Sequence, residues 1–260
     1  MSIGLPHIRA LAQRLLWALV AIHVCSLAIN VAHHGFGVGR GEHLTTWLAT
    51  FFNVDEQQNL PAWFSASVLL LAAWLLWETA TAAAAAGQRR YVRHWRILSL
   101  VFVAVSIDDM TDAHRILRTG AVATLGNASS WLLVIAPLVL VFAAAYVPFA
   151  LHLPTRTRWL VAGSAAAYVL GVTAVETVGA LTGRNLLAHL PGQTLTGTDY
   201  VRYLLAASVE ELIQGIAVIT FVYAVGSCLN RYRDLAAEPQ AGQPVRTGAF
   251  ATVTVLPPRP

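Results

Sequence analysis

Six stretches of this chain are apolar for long enough to cross a hydrocarbon core, which leaves few folds open. A core of about 30 Å needs about 20 apolar helical residues. The stretches are 15–33, 62–86, 97–115, 131–151, 159–181 and 203–229. In lipid every backbone amide must be satisfied within its own segment, so such runs become helices. The expected fold is all-α: an integral membrane bundle of six transmembrane helices in one domain, 1–234. Residues 235–260, rich in Pro, Gly and Gln, read as a disordered cytoplasmic tail. Composition agrees, because only 12% of the 260 residues are charged, against about 25% in a soluble domain.

Arginine placement sets the expected orientation. Arg9 and Arg14 precede the first stretch, and Arg89, Arg90, Arg93 and Arg96 lie between the second and third. Arg156 and Arg158 join the fourth to the fifth, and Arg231 and Arg233 follow the sixth. By the positive-inside rule these faces, and both termini, are expected to be cytoplasmic. A pI near 9.4 therefore reflects orientation signals and contact with anionic membrane lipids, not a nucleic-acid partner. A membrane-protein partner or a homo-oligomer stays open. The chain has no lysine, which excludes Schiff-base chemistry. Cys25 and Cys228 belong near mid-bilayer and at the inner rim, too far apart for a disulfide. Ile22-His23-Val24 lacks the small residue that a lipoprotein signal places before its cysteine, so the first helix is read as retained.

Six acids lie inside or at the ends of these apolar segments: Asp108, Asp109, Asp112, Glu176, Glu210 and Glu211. Counting about 1.5 Å per residue from the flanking arginines puts all six in the outer half. An acid in hydrocarbon costs several kcal/mol unless it is paired, protonated or facing water, so such a grouping argues for a site. His114 follows the Asp cluster, and His33 and His34 close the first stretch at a similar level. Glu56 and Asn59 precede the second stretch, and Gln214 shares a helix face with Glu210. Carboxylates with imidazole suit a divalent iron, manganese or zinc ion. The expected metal set is Asp108, Asp109, His114, Glu176, Glu210 and Glu211, with Glu56, Asn59, Asp112, Gln214, His33 and His34 as further polar positions.

A plainer reading stands beside it. Arg115, Arg118, Arg184 and Arg202 lie at the same level and would neutralise these acids in structural ion pairs. The helical metal signatures HExxH and Glu-x-x-His are missing. Glu78 and His23 lie deeper; each is read as a hydrogen bond across a helix interface, with a proton path as the alternative. Trp63, Trp74, Trp77, Trp95, Trp131 and Trp159 are expected mostly as interfacial anchors. The apolar run 47–52 suits a short helix on the membrane surface.

Three segments carry a family resemblance: FFNVDEQQNLPAWFS at 51–65, SIDDMTDAHR at 106–115 and SVEELIQG at 208–215. The chain resembles a bacterial family of polytopic, uncharacterised membrane proteins. In that family the middle segment reads acid-acid, four residues, His-acid, and the last carries another acid after its Glu pair. The resemblance implies shared polar positions at Glu56, Asn59, Asp108, Asp109, His114, Glu176, Glu210 and Glu211. Arg115 and Gln214 depart from the pattern, which bears on whether a full metal centre is present. Three functions remain open: an outward-facing metal or cation site that supports enzyme chemistry, an ion- or proton-coupled transporter, and an accessory subunit of a larger membrane complex.

Overall fold

The computed structural model describes residues 7–111, 113, 130–181 and 197–238, and every regular element among them is helical. The α-helices are α1 (Ile8–Asn30), α2 (His43–Phe51), α3 (Leu60–Ala85), α4 (Val92–Thr111), α5 (Ser130–His152), α6 (Thr155–Leu181) and α7 (Gly197–Ala237). Among the described residues three segments are long and apolar enough to cross a membrane: Ile8–Gly35, Leu60–Ala85 and Asp199–Ala237; Pro137–His152 is a shorter apolar helix. The apolar run 47–52 falls largely within a short helix, α2.

Three helices depart from the sequence reading at their ends, and the first is α1, which begins at Ile8 ahead of the expected 15. Helix α4 begins at Val92, ahead of the expected entry at 97, because Arg93 and Arg96 belong to its first turns. Their long side chains can lie along the helix and still reach water. Helix α7 begins at Gly197 instead of 203 and continues to Ala237. Its 41 residues span roughly 60 Å, about twice a hydrocarbon core. Gly197 opens it at φ +60, and Asp199 in the first turn complements the helix dipole.

Helices α3 and α7 form the centre. The closest packing joins α3 to α4, α6 to α7, α3 to α7 and α1 to α7. Close approach of backbones and interhelical hydrogen bonds join these helices. Ser99 and Ser106 of α4 donate to the carbonyls of Ala73 (2.7 Å) and Ala66 (2.8 Å) on α3. Gly226 of α7 lies so close to Ile8 of α1 that an added Cβ would collide with its side chain. At Gly215 the same Cβ would stand 2.7 Å from Leu19.

These contacts make α4 antiparallel to α3 and α1 antiparallel to α7, while α3 and α7 run parallel, so the arginine-bearing ends come together. At that end Arg233 of α7 pairs with Glu78 of α3 at 2.9 Å, and Arg156 of α6 donates to the Tyr223 hydroxyl of α7 at 2.9 Å. Glu78 thus makes the interhelical bond expected of it. Trp95 does not act as an interfacial anchor: it is 2% exposed and packs edge-on against Phe149 of α5. It sits one turn inside α4, where α5 covers it instead of headgroups. Trp63 and Trp159 are exposed, as an anchor must be. Cys25 is exposed, Cys228 buried, and both are free thiols.

Candidate functional site

The acid-bearing end is organised by the segment between α2 and α3. Asn59 is the N-cap of α3: its Oδ1 accepts from the Ala62 amide at 3.1 Å, and Pro61 follows in the first turn, where its missing amide costs nothing. Its Nδ2 donates to the Thr50 carbonyl (3.2 Å) and the Asn53 carbonyl (2.5 Å). Asn59, expected as a further polar site position, is therefore a structural clasp. Gln58, before it, takes a left-handed φ of 61. The Asn53 side chain accepts from the Asp55 amide (3.2 Å), and the Val54 amide donates to Ser26 of α1 (3.3 Å). Asp55 accepts a hydrogen bond from the Tyr203 hydroxyl of α7. The loop is thus pinned on α1, α3 and α7, with Asp55 and Glu56 held over the bundle.

Beneath it lies a cavity of about 70 Å³. Leu19, Ile22 and His23 line it from α1; Phe64, Ser65 and Val68 from α3; Asp109 from α4; Glu211, Gly215, Val218 and Ile219 from α7. These spacings of three and four put each set on one helix face. Asp55, Glu56 and Gln57 close the wall from the loop. Glu211 lies within electrostatic reach of Asp109, Glu210 and Asp55. The Tyr168 hydroxyl of α6 senses Asp109, Glu211, Asp108 and Glu210. The loop, α4 and α7 therefore bring six carboxylates, Asp55, Glu56, Asp108, Asp109, Glu210 and Glu211, around one small space walled by four helices. Glu56 is exposed on one side, yet desolvation by burial raises its carboxyl above the ordinary glutamate range. A hydrogen bond from Asn53 opposes that rise, and Asp55 adds to it.

Of the expected metal set, Asp109 and Glu211 line the cavity, with Asp108 and Glu210 beside them. Glu210 accepts from Gln214 at 3.3 Å. Glu176 lies on α6, but its side chain is outside the described residues, as are Asp112 and His114. His33 and His34 are not brought to this cavity. His33 bonds through Nδ1 to the Val38 carbonyl (3.1 Å), and His34 packs on the Tyr200 ring with centroids 4.2 Å apart. Among the described residues no three His, Cys, Asp or Glu side chains converge closely enough to hold a metal by themselves. Arg202, one of the four arginines at this level, bridges Asp199 at 3.5 Å; Arg115, Arg118 and Arg184 are outside the described residues.

Sequence reasoning passed over three contributors: Asp55, Tyr203 and Tyr168. The signal for Asp55 was its adjacency to Glu56 just ahead of a Pro-started helix, the same doublet pattern as Asp108-Asp109 and Glu210-Glu211.

The family model described as Domain of unknown function (DUF8692) matches residues 15–229. The chain belongs to that family. The matched stretch contains all three segments that carried the resemblance, and the family is, as expected, an uncharacterised one. No curated protein and no solved structure matches the chain.

Proposed function

We propose that this is a six-span protein of a bacterial inner membrane, both termini cytoplasmic, that binds a cation in an outward-facing acidic cavity. The observation that carries the reading is the meeting of Asp55, Asp109 and Glu211, from a loop and two helices, on one cavity of about 70 Å³. Clustered carboxylates repel one another, and a shared cation offsets that repulsion. The volume suits an ion with a few waters, since a water takes about 30 Å³ of liquid. It is well below the several hundred Å³ that enclose a drug-sized ligand. A divalent iron, manganese or zinc ion fits the carboxylate-rich wall with water completing its shell.

Two observations favour holding a cation over conducting it. Leu75, Leu76, Ile219, Val222, Val225 and Leu229 are essentially unexposed and fill the bundle between the cavity and the arginine-bearing end. Glu78, the acid a through-route would need, is engaged with Arg233.

The test is calorimetric titration of the full chain in lipid nanodiscs with manganese, zinc and calcium chlorides, repeated on Asp109→Asn with Glu211→Gln. Saturable binding in wild type that the double variant weakens by about 10-fold or more supports the reading. No saturable binding of any of the three, in protein that keeps its helix content, rejects it.

A further inference from the structure

We infer that His23 supplies a nitrogen ligand to the cation in this cavity, so that the site prefers a divalent transition metal over calcium or magnesium. The inference rests on the cation-binding reading above and names the chemistry of the ion.

It starts from the hydrogen-bond state of one ring. His23 Nδ1 lies 2.9 Å from the Leu19 carbonyl one turn earlier on α1. A carbonyl oxygen only accepts, so Nδ1 carries the hydrogen in that bond. In the neutral ring, Nε2 is then left with a lone pair. His23 is 7% exposed, it lines the cavity, and Nε2 has no hydrogen-bond partner among the described residues. Nε2 itself is shut off from bulk water, and the ring that carries it is part of the cavity wall.

The rest of the polar wall is Asp55, Glu56, Gln57, Ser65, Asp109 and Glu211. Its ionisable members are all carboxylates, which when ionised offer only acceptors. A buried lone pair in a wall shared with anionic acceptors is doubly unsatisfied: it has no donor, and it adds to the negative potential. One positive species shared among them resolves both problems. The pinned Nδ1–H on a backbone carbonyl is also the usual support of a metal-bound histidine, fixing the tautomer and the ring plane. Imidazole suits zinc, iron and manganese sites far better than calcium or magnesium sites, which take oxygen ligands. Because the described side chains do not themselves converge on a point, water would complete the shell. Neither His23 nor Asp55 belonged to the ligand set expected from sequence; their position around the cavity puts them there.

The alternative resolution is a proton on Nε2, and the experiment separates the two. The full chain in nanodiscs is titrated with manganese chloride and, separately, calcium chloride, and the manganese-loaded sample is measured by pulsed electron spin echo. The expected result is tighter binding of manganese than calcium, together with nitrogen modulation from a directly bound imidazole. In His23→Gln and His23→Phe that modulation disappears. Manganese affinity falls by at least about 10-fold, the lower end of what losing a ligand's supporting partner costs, while calcium affinity changes by less than about threefold. Two substitutions of different shape, each checked for helix content and monodispersity, guard against a variant that fails to fold. Manganese bound without nitrogen modulation, as a protonated His23 requires, overturns the inference and leaves the cation reading standing. Modulation that survives in the folded variants overturns it equally, by assigning the nitrogen to another histidine. If neither ion binds, both readings fall together.

Discussion

Replacing Asn59 by alanine removes three hydrogen bonds at once, and the structure allows the loss to be worked out. The Oδ1 cap on the Ala62 amide is of a kind worth about 0.5–2 kcal/mol. The two Nδ2 bonds, to the Thr50 and Asn53 carbonyls, are each worth about 0.5–1.5 kcal/mol. The Thr50 carbonyl also accepts from the Asn53 amide at 3.2 Å, so its share lies at the lower end. The sum is about 2–3 kcal/mol. Asn59→Ser keeps a capping oxygen but has no amide to reach back to the loop, so it should lose only about half as much. The assay is equilibrium unfolding of the full chain in mixed micelles, titrated with SDS and followed by circular dichroism. Hydrogen exchange over 53–62 should accelerate in both variants, more so in Asn59→Ala. A cost below about 0.5 kcal/mol for Asn59→Ala would refute the reasoning. So would equal costs for the two variants, because the cap would then contribute nothing.

Other outcomes follow from the same geometry. The Glu78–Arg233 pair, with side chains 34% and 20% exposed, lies between the surface and buried cases, so a double-mutant cycle of Glu78→Gln and Arg233→Met should give a coupling of about 1–2 kcal/mol; additive single effects would mean no useful bond. Gly226→Leu forces a side chain into Ile8 and should destabilise by about 1–3 kcal/mol, whereas Gly163→Leu, with open space at its Cβ, should be close to neutral in the same unfolding assay. Burial raises the Glu56 carboxyl above its unfolded value, so the native state holds more protons in that window and stability falls as pH rises through it. Glu56→Gln should abolish that fall, seen as a flatter stability profile just above the ordinary glutamate range; an unchanged profile would show that Glu56 is not the group responsible.

Much of the helical architecture could be read from the chain alone, because long apolar runs leave a backbone few options. Apolar run length predicted helices near 62–86, 131–151 and 159–181, and α3, α5 and α6 cover those stretches. The arginine clusters predicted which helix ends lie together, and the Glu78–Arg233 and Arg156–Tyr223 contacts bring such ends together. Helix ends were less legible, since hydropathy registers neither the arginine-bearing first turns of the Val92 helix nor the Asp199 that complements the dipole where the Gly197 helix starts.

The candidate site divides along the same line. Sequence by itself determined that acids cluster toward one end, because charge in an apolar run is conspicuous and depth follows from helical rise. Only tertiary structure decided which acids share a space. It put Asp109 and Glu211 on the cavity, sent His33 and His34 to other partners, and made Asn59 a clasp. It also brought in Asp55, a loop residue with no periodicity to betray it, and His23, whose role depends on where its ring nitrogens point. Depth is a one-dimensional property that a chain carries along its length. Direction around a helix axis matters only once neighbouring helices fix it, so convergence on a single cavity belongs to the packed bundle.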